Sequence, residues 1–187
     1  MAASVVAVDR LEAVVPRAAG DVMTISRTLR HLVSSGSARR LFPARALDAI
    51  QQAIVQGETR HQDQLCFAIE GALPMSRVLR GLMPRARAHE VFAHLRVWDT
   101  RNNSGVLIYV LVADHAIEIV ADRGIAAHVA ESEWVAICTA MREKFLAGEF
   151  VQGAIEGVTR VSDLLAQHFP ADGSAKANEL PDRPVIL

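Results

Sequence analysis

Residues 106–112, VLIYVLV, leave a chain of this kind few ways to fold. The run is short, wholly apolar and rich in β-branched side chains, the pattern of a strand covered on both faces. A second strand reads at 116–121, AIEIVA. Between them Asp114-His115 is short and polar, so an antiparallel hairpin is the economical connection. No Asn-Gly or Asp-Gly fixes the turn type. Gly105 opens the first strand and Gly124 closes the second. Residues 99–105, DTRNNSG, are turn formers and read as a loop. Trp98, just before them, is expected to plug the core.

The rest of the chain supplies layers for this hairpin. Residues 65–70, LCFAIE, read as a first strand. Residues 84–95 place Ala88, Val91, Phe92 and Leu95 at helical spacing. Strand, crossover helix and strand form a βαβ unit, so 65–70 and 106–112 are expected to run parallel. A helix over 42–56 carries Leu47, Ile50, Ile54 and Val55 on one stripe, with Pro43 in its first turn and Gly57 at its end. Shorter helices are expected at 24–33 and within 71–81. Ser132 can cap a helix that buries Trp134, Ile137, Cys138, Met141 and Phe145. The last helix, 150–168, buries Val151, Ile155, Val158, Leu164 and Leu165, and Gly153 and Gly157 would let it approach its neighbour closely. Pro170 stops it. Glu118 is expected to mark a partly solvated face of its strand, the alternative being a pair with an arginine from a flanking helix. The fold class is α/β, an αβα sandwich around a small mixed β-sheet.

Composition limits the function classes. At 187 residues the chain holds one domain, with 51% apolar and 22% charged residues, ordinary for helices packed on a sheet. A net charge of -1 offers no field for nucleic acid or anionic lipid. Cys66 and Cys138 sit on apolar positions and read as small buried hydrophobes rather than a disulfide. No apolar stretch reaches membrane-span length. Residues 1–20 lack a basic n-region, and Asp9, Arg10 and Glu12 interrupt any apolar segment, so a reduced, cytoplasmic location is expected. Residues 1–22 show only weak helical periodicity, through Val6, Leu11, Val14 and Val15.

The expected topology gathers candidate ligands at one end of the sheet. His61, Asp63 and Gln64 precede the first strand. Asp99, Thr100, Asn102, Asn103 and Ser104 precede the second, and Asp122 and Arg123 follow the third. Asp99, Asn102, Asn103 and Asp122 form a hard-oxygen set, the kind Ca²⁺ or Mg²⁺ prefers. His61, Asp63, Thr100, Ser104 and Arg123 are further contributors to the edge. The plain alternative is that Asp99 and Asn102 satisfy turn backbone while Asp122 pairs with Arg123 or Arg101. No thiolate or paired-imidazole spacing points to zinc. No nucleophile elbow, P-loop or dinucleotide fingerprint occurs, so the catalytic residues stay unassigned.

The blocks RHL (30–32), RRLFP (39–43), CFAIE (66–70), RVWDTRNNSGVLIYVL (96–111) and NELPDRPVIL (178–187), in this order, resemble the TPM domain family. That family includes thylakoid-lumen phosphatase-like proteins and many bacterial proteins, and the resemblance is to its soluble proteobacterial branch. It implies acid phosphatase activity and divalent-cation binding, with Asp99, Asn102, Asn103 and Gly105 carrying the loop motif. The secreted branch's Asp-x-Ala-Gly-x-Leu segment is missing, and Ala126-Ala127-His128 replaces its Leu-Thr-Asp. Similar proteins begin near Met23, so residues 1–26 are expected to be an extension, disordered or preceding the true start. The domain is expected over 27–172 and an extended tail over 173–187. Two functions follow. One is a non-catalytic module that binds a divalent cation or a protein partner, such as another TPM-domain protein. The other is a weak metal-assisted phosphomonoesterase, its metal held by Asp99, Asn103 and Asp122.

Overall fold

The apolar run at 106–112 becomes the central strand of a five-stranded sheet. A computed structural model describes residues 4–7, 20–173 and 178–187. Its elements, in chain order, are β1 (Ser4–Ala7), α1 (Gly20–Val33), α2 (Ser37–Leu41), α3 (Ala44–Glu58), β2 (Gln64–Glu70), α4 (Met75–Leu79) and α5 (Pro84–His94). Then follow β3 (Gly105–Leu111), β4 (Ala116–Ala121), α6 (Arg123–Ala126), α7 (Glu131–Leu146), α8 (Phe150–His168) and β5 (Val185–Ile186). The sheet order is β1-β4-β3-β2-β5. β2 and β3 are parallel from Gln64↔Gly105 to Glu70↔Leu111, with α5 as the crossover. β4 returns antiparallel to β3, from Leu111↔Ala116 to Val106↔Ala121. β1 lies antiparallel along β4, and β5 adds two residues parallel to β2. Leu11, Val14 and Val15 lie outside the described residues, as do residues 174–177 of the expected tail.

Both faces of the sheet are covered, as a strand without alternation requires. Leu65, Phe67, Ile69, Val106, Ile108 and Ile119 point into the core shared with α3, α7 and α8. Cys66, Ala68, Leu107, Tyr109 and Val120 point into the core shared with α4 and α5. The chain is an αβα sandwich around a mixed sheet. Burial pushes both thiols up to about 12, Cys138 with help from the nearby Glu118 carboxylate. Neither should react with a thiol reagent at neutral pH until denaturant unfolds the protein, and quantitative labelling checks this.

α8 packs closely on α7 because two of its side chains are missing. A Cβ on Gly157 would stand 2.3 Å from Met141 Sδ, and one on Gly153 would stand 2.8 Å from Phe145 Cδ1. The helix accepts glycine's lower propensity, on the order of 1 kcal/mol at each position, in exchange for contact with the buried Met141.

Several expectations are corrected. Trp98 is 47% exposed, and Val97 fills the core in its place. The reason is backbone: Arg96 takes φ +55 after α5, which turns Val97 inward and Trp98 out. Val55 lies outside the buried stripe of α3 at 45% exposure. α7 begins at Glu131, so Ser132 is not its cap; the Glu133 carboxylate accepts from the Ala130 N–H at 3.0 Å. Glu118 is buried rather than partly solvated.

α1 is amphipathic in an unusual sense. Arg27, Arg30 and His31, one turn apart, face the domain. Ile25, Leu29, Leu32 and Val33 face away from it and are exposed. Arg27 Nη2 donates to Asp114 Oδ2 at 2.7 Å and to the Leu82 carbonyl at 2.6 Å. The Leu73 N–H donates to His31 Nδ1 at 2.9 Å, and His31 Nε2 lies 3.1 Å from Asp114 Oδ1. Arg30 Nε donates to the Ala113 carbonyl. Polar bonds therefore fasten this helix to the β3–β4 turn.

Candidate functional site

The parallel β2–β3 pair and the antiparallel β4 bring three loops to one end of the sheet, as the topology requires. The backbone locks them together. Gln64 N–H donates to the Ser104 carbonyl at 3.3 Å, Asp122 N–H to the Gly105 carbonyl at 2.9 Å, and Gly124 N–H to the Asn103 carbonyl at 3.0 Å. The end of α8 closes the fourth side. Gln62 N–H donates to the Phe169 carbonyl and Ala171 N–H to the Arg60 carbonyl. The result is a pocket of about 330 Å³ lined by Gln62, Asp63, Asn102, Ser104, Gly124, Phe169 and Pro170.

Local chemistry shapes the loop over 99–105. The Thr100 hydroxyl accepts from the Ser104 N–H at 2.9 Å, and the Thr100 carbonyl accepts from the Asn103 N–H. Asn103 takes φ +51, a conformation that asparagine tolerates better than most residues. Its side-chain oxygen accepts from Arg123 Nη2 at 2.8 Å. Gly124 has no room for a side chain, since a Cβ there would meet the Asn103 and Asn102 carbonyl oxygens at 2.6 and 2.7 Å.

The expected ligands divide. Asp63, Asn102 and Ser104 line the pocket, and Asp63 and Ser104 are buried. Asp122 is buried beside Gly124. Its Oδ1 accepts from the Arg123 N–H at 2.7 Å, capping α6, while its Oδ2 is buried without a hydrogen-bond partner. Asn103 and Arg123 hold each other, and Thr100 holds the loop. Asp99 turns away, is half exposed and pairs with Arg96. Asp122 therefore meets the Arg123 backbone, not its guanidinium, and Asp99 meets a neighbouring arginine rather than the turn. His61 is buried, with Nδ1 3.1 Å from the Asp63 carbonyl, so that nitrogen carries the proton. Gln64 serves the fold: its Oε1 accepts from the N–H groups of Glu179 and Leu180, tying the C-terminal segment to β2.

The donors at this end are carboxylate, amide and hydroxyl oxygens, suited to a hard cation rather than a soft one. Among the described residues, no three His, Cys, Asp or Glu side chains gather into a metal cluster.

A family model described as the TPM domain matches residues 38–164. The chain belongs to the TPM domain family. The matched span contains all three sheet-end loops and stops short of Phe169 and Pro170. It also leaves out the RHL block and the C-terminal decapeptide. The NMR structure of BA42 protein from the psychrophilic bacterium Bizionia argentinensis superposes with a TM-score of 0.69 at 28% identity, over 78% of this chain and 95% of that one. No curated protein matches the chain. No described helix of this TPM protein is long and apolar enough to cross a membrane.

Sequence reasoning passed over a second polar cluster, on the other side of the sheet. Tyr109 OH donates to Glu70 Oε2 at 2.6 Å, and Arg87 Nε donates to the same oxygen at 2.9 Å. Arg87 also reaches Glu90, which in turn holds Arg77. The cues were present: a glutamate ending an apolar strand, a tyrosine in the middle of another, and arginines on α5. Burial and the Glu70 carboxylate both push the Tyr109 phenol far up, so it stays protonated and donates. The cluster ties α5 to the sheet.

Proposed function

We propose that this TPM domain is a binding module that takes a divalent cation, Ca²⁺ or Mg²⁺, in the sheet-end pocket. Asp63, Asn102, Ser104 and Asp122 would supply the oxygens. One observation carries the reading: the buried Asp122 Oδ2, which has no hydrogen-bond partner, beside a pocket whose polar lining is otherwise oxygen-rich. A buried carboxylate oxygen without a donor costs free energy unless a cation or water meets it. Asn103 and Arg123 shape the loop, and Asp99 stands outside the set. A protein partner would then read the cation-ordered loop over 99–105.

The family's phosphatase activity is the less supported use of this pocket. His61 is buried and does not line the pocket, and its Nε2 lies toward Gly57 of α3, so it is not placed to activate a hydroxyl or water there. A bound cation would supply Lewis acidity, but Asp63 and Ser104, the carboxylate and hydroxyl that line the pocket, would serve as its ligands.

Isothermal titration calorimetry with Ca²⁺ and Mg²⁺ tests the assignment. Asp122→Asn keeps an oxygen to cap α6 and removes the charge, so affinity should fall by about tenfold or more. Asp63→Asn should act in the same direction, and Asp99→Asn should leave affinity unchanged. Equal loss from Asp99→Asn would mean that the ligands lie elsewhere on the loop. Turnover of generic phosphate esters that disappears in folded Asp122→Asn would establish the enzyme instead.

A further inference from the structure

The outward face of α1 has the chemistry of an interface. Ile25, Leu29, Leu32 and Val33 occupy one stripe of the helix and are 68%, 59%, 66% and 73% exposed. Two further exposed apolar side chains lie on the neighbouring segment. Arg27 bonds the Leu82 carbonyl, which sets α1 against the segment bearing Leu79 and Met83, and these are 66% and 55% exposed. A surface helix normally buries such a stripe and exposes its charges; α1 does the reverse. Six large apolar side chains at these exposures leave on the order of 700 Å² of apolar surface open, more than the largest patch on a typical monomer.

We infer that this face pairs with the same face of a second copy of the chain, around a two-fold axis passing near Leu29. Two observations favour a second copy over another partner. The area is about what one side of a standard protein interface buries, roughly 800 Å². Among residues 25–33 of α1, the outward side chains are Ile25, Ser26, Leu29, Leu32 and Val33, none of them charged, while the arginines point inward to Asp114 and the Ala113 carbonyl. A face that is apolar and uncharged is complementary to itself, and two such helices can pack without opposing like charges. The contact lies away from the sheet-end pocket, so it stands or falls independently of cation binding.

Sedimentation velocity of the full chain across a dilution series tests the inference. A monomer–dimer equilibrium is expected, with Leu29→Glu weakening it by at least tenfold. Leu29 is 59% exposed and makes no core contact, so circular dichroism and the urea midpoint of the variant should match the parent. Leu29→Cys should form a disulfide-linked dimer on mild oxidation, since the two native thiols are buried. A monomer at every concentration overturns the inference. So does a dimer that Leu29→Glu leaves intact, which would place the interface elsewhere. Binding of a monomeric chain to phosphatidylcholine vesicles, abolished by Leu29→Glu, would overturn it by assigning the face to lipid.

Discussion

Asp114→Ala should destabilise the protein by about 3 kcal/mol, the loss expected when one member of a buried ion-paired cluster is removed. The carboxylate is only 4% exposed and is met by Arg27, Arg30 and His31. Among the described residues, the substitution leaves Arg27 with the Leu82 carbonyl, and it leaves His31 Nε2 facing a void. Within one chain the apolar stripe of α1 faces away from the domain, so these polar bonds are its main described anchor. Urea denaturation should show the lower midpoint, and hydrogen exchange should show α1 opening first. The same carboxylate sets a pH dependence. Burial alone would raise its pKa, but the Arg27 guanidinium and His31 outweigh that and hold it below the ordinary carboxylate range. Its contribution is therefore complete above the unfolded value of about 3.9 and is lost as pH falls through the lower folded value. Acid titration of stability below about pH 4 should flatten in Asp114→Asn.

Gly105→Ala should cost about 3 kcal/mol or more, through forced overpacking against backbone. A Cβ there would stand 1.9 Å from the Val97 carbonyl oxygen and 3.0 Å from its carbon. Neither atom can rotate away, because Val97 is fixed by its bond to Phe92 and by burial. The strand would have to move. Gly105 also pairs with Gln64 and accepts from Asp122, so the movement would pull apart all three sheet-end loops. Gly36→Ala, with nothing within 4 Å of the new Cβ, is the matched control and should change stability by less than about 0.5 kcal/mol. Thermal melts of the two variants side by side separate close approach from a generic effect of losing glycine.

The three central strands were legible because hydrophobic pattern carries them, whereas β1 and β5 are too short to show one. The unbroken run at 106–112, the partner at 116–121 and the crossover helix between 65–70 and 106–112 leave one economical topology. That topology is what brought Asp63, Ser104 and Asp122 to one end of the sheet. Side-chain direction was less legible. Trp98 and Val97 are adjacent apolar residues, and only the positive φ at Arg96 decides which one turns inward. Asp99 and Asn102 look equivalent in the loop, yet Arg96 lies within reach of one and the pocket beside the other. The buried polar clusters were least legible. Tyr109 and Glu118 sit in strands that read as apolar, and periodicity does not reveal a partner such as Glu70 or Arg87 that is distant in sequence.

A two-dimensional amide NMR titration with Ca²⁺ and Mg²⁺ tests the central claim most directly. Saturable shifts confined to residues 61–64, 99–105 and 122–124 are expected, with α1 and the Tyr109–Glu70 cluster unmoved. A spectrum that does not change, or changes centred anywhere else, would contradict the assignment of the sheet-end pocket as the binding site.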